Sequence, residues 1–249
     1  RFLRMGEDAT LRGAVKFGKP GYLAFPYERT AMAALAFQEI VPRNALFLGT
    51  AVGSAPQFLT SQFSEARVEL IEDQELYLEL AQEHFGLDPD NRLEVKNTGL
   101  RKYVTEVKKK YDLIVLDNYV DGSIPYLLVT KDVLTEAWRR LEPGGVFVLH
   151  TWEQQETPTQ DEMLATMQDV FPEVYMMEVP RTTSVILMGT RREGQITQEQ
   201  AVERAREIMQ ETPLSFDLPV IVARRYQYAT KMQTDARVLT DANAPLAVE

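Results

Sequence analysis

Five apolar runs, ALFLG (45–49), RVELIE (67–72), RLEVK (92–96), DLIVLD (112–117) and GVFVLH (145–150), punctuate the chain at helix-length intervals. Each is short and rich in Val, Ile, Leu or Phe, the pattern of a strand covered on both faces. The segments between them, near 54–64, 74–85, 100–109 and 130–141, read as amphipathic helices. Strands joined by right-handed helical crossovers give an α/β fold with a doubly wound, mostly parallel sheet. Pro143, Gly144 and Gly145 are expected to stop the fourth helix and turn the chain into the fifth strand.

The flanks add smaller pieces. Residues 1–24 read as a small N-terminal β hairpin, RFLRM and LRGAVKF around the turn-like GEDAT. From Pro26 to Ile40, Met32, Leu35, Ala36 and Ile40 recur at helical spacing and predict a helix with one packed face. After a helix near 158–170, VYMMEV and SVILMGT are expected to form an antiparallel pair closing one edge of the sheet. Thr197 and Gln200 form a capping-box pattern that opens a last helix, with Ala201, Ala205, Ile208 and Met209 on one face. The expected plan is a hairpin region over 1–24, an α/β core over 25–211, and an irregular C-terminal extension packed on the core over 212–249.

Composition narrows the function. At 249 residues, with 45% hydrophobic and 26% charged residues, the chain can bury one sizeable core. A net charge of −10 argues against a surface that tracks nucleic-acid phosphates. The absence of cysteine removes disulfides and thiolate ligands, and two histidines give no basis for a histidine-rich metal site, so no metal is expected. No apolar run reaches the roughly 18 residues of a membrane helix. A cytoplasmic location is expected, or a membrane-associated one if a segment upstream of Arg1 has been removed.

In an open α/β sheet, ligands bind beyond the carboxyl ends of the strands, where the strand order reverses. The strand ends here are Gly49–Ser54, Glu72–Gln74, Thr98–Arg101 and Asp117–Ser123. Gly49 to Gly53 forms a tight turn before a helix, whose backbone donors suit a polar or anionic group. Glu72 follows Gly49 by 23 residues, where an acid commonly holds the two hydroxyls of a ribose. Asp117 ends a buried strand and can orient an amine, accept its proton or stabilise a cation; bracing its own loop is the alternative. Asp121 before Gly122 reads first as a turn, Tyr27 as a packed or pocket-wall tyrosine, and His84 and His150 as packing or surface residues. The run Lys108–Lys110 sits at a helix end, where cations favour the dipole, and needs no partner.

FLGTAVGSAPQFL, VELIEDQELYLELAQEHFGL, RLEVKNTGLRKYV, YDLIVLDNYVDGSIPYLLVTKDVL, LEPGGVFVLH and LTDANAP, in that order, resemble the spermidine synthase family, the polyamine aminopropyltransferases. The resemblance runs over nearly the whole chain. It implies a methyltransferase-like Rossmann core behind a small β domain, and a transferase of polyamine biosynthesis that moves an aminopropyl group from decarboxylated S-adenosylmethionine to a small amine. It further implies that Gly49 to Gly53, Thr50 included, face the nucleoside, that Glu72 holds its ribose with Asp73 among the cofactor-binding residues, and that residues 98–100, Gly99 and Leu100 among them, flank its adenine. Asp117 matches the catalytic aspartate, Tyr27 the pocket tyrosine, and Asp121 a displaced second acid of the substrate loop. A homodimer or a protein partner is implied by the same likeness.

The departures fall on ligand-facing positions. GTAVGS replaces a glycine-rich turn and puts Ala51 and Val52 where backbone approaches the ligand, and Thr98-Gly99-Leu100-Arg101 lacks the aspartate that reads adenine. Three readings follow: an aminopropyltransferase, a methyltransferase using S-adenosylmethionine itself, or a catalytically silent scaffold, partner subunit or ligand sensor. Ala51 and Val52 discriminate, according to whether their side chains fill the crevice.

Overall fold

The computed structural model describes residues 1–5, 10–16, 18–19, 21–120, 122–152 and 158–245. Strands β1 (Phe2–Met5) and β2 (Thr10–Ala14) pair antiparallel as a separate hairpin. Helix α1 (Pro26–Ala31) begins at proline, whose missing N–H costs nothing at that position. It does not continue to Ile40. Met32–Phe37 tightens into 3-10 geometry with all six residues at most 2% exposed, while Ile40 is 55% exposed. The sequence MAALAF is apolar on every side, so burial all round sets its path and the expected single packed face does not form.

The parallel part follows the expected alternation: β3 (Asn44–Leu48), α2 (Ser54–Gln62), β4 (Arg67–Glu72), α3 (Glu75–Phe85), β5 (Leu93–Asn97), α4 (Leu100–Glu106), β6 (Tyr111–Leu116), α5 (Lys131–Arg140) and β7 (Leu141–Trp152). Then come α6 (Gln160–Val170), β8 (Glu173–Glu178), β9 (Ser184–Thr190), α7 (Gln198–Glu211), α8 (Leu218–Arg225) and β10 (Gln227–Tyr228). The strands lie in the order β10-β8-β9-β7-β6-β3-β4-β5, parallel from β7 to β5 and antiparallel beyond β7. Alternate residues of one strand serve opposite faces: Ala45 and Phe47 join the core with α2 and α7, and Leu46 and Leu48 join the core with α4, α5 and α6. Among the described residues no helix is long and apolar enough to cross a membrane.

Three other expectations are corrected. Helix α5 ends at Arg140, before Pro143-Gly144-Gly145, which lies inside β7 where the register against β6 shifts between Tyr111 and Leu113. Gly144 takes φ +79 there, so the glycine serves a bulge, not a helix stop. The segment after 212 is not irregular throughout: Asp217 caps the N–H of Val220 at 2.9 Å, α8 buries Leu218 and Val222, and β10 pairs with β8 as the outermost strand. Finally, α4 stops at Glu106, and Lys109 reaches back to Glu69 at 2.6 Å, so the lysine run does have a partner.

Candidate functional site

Strands β3 and β6 are neighbours whose onward crossovers lead in opposite directions, so the crevice opens between their carboxyl ends. Gly49 follows β3 with φ +76, and a Cβ there would lie 2.8 Å from the Asp117 carbonyl oxygen and 2.9 Å from Asn118 Cβ. Only glycine fits both the dihedral and the approach of the β6 end. Ala51 follows at φ 50, a left-handed conformation that costs a side chain roughly 1–2 kcal/mol. Gly53, at φ 71, precedes α2.

The parallel register aligns Leu116 of β6 with Leu149 of β7, which brings the next residues, Asp117 and His150, side by side. Asp117 Oδ1 lies 2.9 Å from His150 Nδ1, with the two side chains 17% and 11% exposed. From α1, Tyr27 stacks on the imidazole at 4.3 Å between centroids and 4° between planes. Tyr119 meets the same ring edge-on at 5.3 Å and donates its hydroxyl to the His150 carbonyl at 2.9 Å. Burial, with the Asp117 charge added, pushes the Tyr27 phenol well above its ordinary pKa, so it stays a proton donor.

Beside them Glu28 is 4% exposed; its carboxyl takes the Phe25 N–H at 2.8 Å and the Ser54 hydroxyl. Burial pushes its pKa up to about 7, against the opposing pull of those two hydrogen bonds. Tyr27, Glu28, Thr50, Ser54, Asp117 and His150 line a cavity of about 20 Å³, room for about one water. Thr50 Oγ1 and His150 Nε2 are buried without a hydrogen-bond partner, and both belong to that lining.

The expected nucleoside residues are arranged differently. Glu72 is 3% exposed, accepts the Gln74 N–H at 3.1 Å, and is raised by burial to about 7. Asp73 and Gly99 are exposed, whereas the Leu100 side chain is buried in the core with Leu48 and Val104. Val52 is 1% exposed and packs with Leu3 and Phe85 under the hairpin, with Ala51 against the same cluster. Neither residue lines the cavity at Asp117; they seat the hairpin. Asp121 lies outside the described residues.

The fold therefore gathers Tyr27, Thr50 and Asp117 at one place; Glu72, at the end of β4, takes a backbone hydrogen bond from Thr50 of the same turn, while Asp73, Gly99 and Leu100 lie beyond the ends of β4 and β5. His150 and Glu28 belong with the first group, although sequence reasoning passed over both. The signal for His150 was available: YDLIVLD and GVFVLH end alike, and adjacent parallel strands put their last polar residues together. Glu28 carried the position of a capping acid in the first turn after Pro26.

No family model matches the chain. It is 27% identical over 231 residues to a polyamine aminopropyltransferase of Vibrio vulnificus (strain CMCP6), covering 89% of this chain and 74% of that protein. A probable spermidine synthase from Corynebacterium glutamicum ATCC 13032 superposes with TM-score 0.73 at 17% identity, covering 96% of this chain and 90% of that one. Human methyltransferase-like protein 13 in complex with SAH superposes with TM-score 0.68 at 22% identity, covering 77% and 95%. At such identities the two superpositions speak for the fold.

Proposed function

The chain is spermidine synthase-like in sequence and fold, and on that premise we propose that it transfers an aminopropyl group from decarboxylated S-adenosylmethionine to a small amine. The observation that carries this reading is the Asp117 carboxylate at the strand-order reversal, beside the unpartnered hydroxyl of Thr50 and the Tyr27 ring. A carboxylate there can hold an amine in line with the carbon next to a sulfonium. Glu72, near half-protonation at neutral pH, can accept from one ribose hydroxyl and donate to another.

A nucleoside needs a pocket of roughly 300 Å³ or more, and the cavity at Asp117 offers about 20 Å³. Binding therefore requires the crevice at Asp117 to open. This closure, with Glu72 only 3% exposed, favours the second reading, a silent domain in which the crevice stays shut. The likeness to a methyltransferase crystallised with SAH supports an arm with S-adenosylmethionine in any assay.

The test is turnover of decarboxylated S-adenosylmethionine with putrescine. Asp117→Asn is expected to lower it by about 100-fold or more while donor affinity is kept. Unchanged turnover in that variant removes Asp117 from its role, and methyl transfer from S-adenosylmethionine in place of aminopropyl transfer replaces the reaction.

A further inference from the structure

We propose that His150 Nε2, not the Asp117 carboxylate, takes the proton from the incoming amine, with Asp117 as its positioning residue. This rests on the aminopropyl-transfer reading and assigns the proton's path within it.

An ionised carboxylate only accepts hydrogen bonds, so the contact of 2.9 Å between Asp117 Oδ1 and His150 Nδ1 puts the imidazole proton on Nδ1. The neutral ring then presents a lone pair at Nε2. That atom is buried, has no donor, and lines the same cavity as the unpartnered Thr50 Oγ1.

The ring is also held still. Tyr27 covers one face in parallel, Tyr119 abuts it edge-on, and the Tyr119 hydroxyl ties down the backbone of His150. The Asp117 carboxylate is engaged by His150 on one side and faces the protonated Tyr27 phenol. Oδ1 is thus committed to His150, which leaves Oδ2 to hold the amine and Nε2 as an acceptor for its proton.

In the transfer, the N–C bond forms as the C–S bond breaks, and the bonding pair stays on sulfur, which leaves as a neutral sulfide. The proton shed by the amine nitrogen passes to His150 Nε2, and from the imidazolium to water. Asp117 stabilises that imidazolium through Nδ1–H. The titratable groups facing the ring are Asp117 from the end of β6, Tyr119 from the loop after it, and Tyr27 and Glu28 from α1.

The test compares wild type with His150→Gln, measuring decarboxylated S-adenosylmethionine affinity, turnover with putrescine across pH, and histidine ¹⁵N resonances. With two histidines, of which His84 is exposed, assignment is direct. Expected are an Nδ1–H tautomer at His150 and an Nε2 resonance that moves when putrescine and methylthioadenosine are added. His150→Gln should keep donor affinity and lose about 100-fold or more in kcat. A purely structural role would lower affinity and thermal stability together. An Nε2–H tautomer, or wild-type kcat in His150→Gln, overturns this assignment alone. A wild-type protein that binds no donor overturns the transfer reading and this assignment with it.

Discussion

A Cβ on Gly13 would come within 2.5 Å of Val52 Cγ1, so the hairpin glycine and the valine of the β3–α2 turn are fitted to each other. The departure from a glycine-rich turn thus has a structural use: Val52 fills the space that Gly13 leaves open. Gly13→Ala should cost about 1–3 kcal/mol, because the branched valine cannot swing away. Melting temperature and proteolysis within the hairpin read the loss. The same substitution in a Val52→Gly background should cost much less; an equal cost in both backgrounds would show that the two residues are not coupled.

Glu28 and Glu72 make stability fall as pH rises. Each has its pKa raised from 4.5 to about 7, so the folded chain binds these protons more tightly than the unfolded chain does. Their stabilising effect is complete below pH 4.5 and is lost as pH climbs through about 7. Glu28→Gln, which keeps an acceptor for Phe25 and offers a donor to Ser54, should stabilise the chain at pH 8 by on the order of 1–3 kcal/mol. At pH 5 the gain should shrink toward zero. An equal gain at the two pH values in thermal melts would contradict the buried, protonated Glu28.

Glu69 behaves oppositely. Burial alone would raise it, but hydrogen bonds from Lys109 and Tyr103 and the charges of Lys109 and Lys96 overcome that and lower it to about 2. Its contribution is present above pH 4.5 and disappears as pH falls toward 2. Lys109→Met should cost about 1 kcal/mol at neutral pH, a modest figure since the lysine is 40% exposed and screened. Urea denaturation at low and high salt checks it; a cost that does not shrink with salt would assign the effect to packing against Tyr111.

What was legible in the sequence followed from local pattern. Runs such as LIVL before Asp117 have one way to be covered on both faces, so the parallel sheet and its switch point could be read directly. MAALAF was misread because helical spacing assumes one wet face, and this segment has none. Helix α8 was missed although Asp217 and Pro219 announce it, because LPVIVARR is too short to show a period. The Asp117–His150 contact joins residues 33 apart through strand register, and the use of Val52 depends on a hairpin contact. Neither relation is written in any local window.

The most direct measurement is calorimetric titration of the wild-type chain with decarboxylated S-adenosylmethionine, with Glu72→Ala as control. Saturable binding, weakened about tenfold or more in Glu72→Ala, is the predicted result. No binding of decarboxylated S-adenosylmethionine, S-adenosylmethionine or methylthioadenosine would contradict it and leave a silent fold whose crevice stays shut.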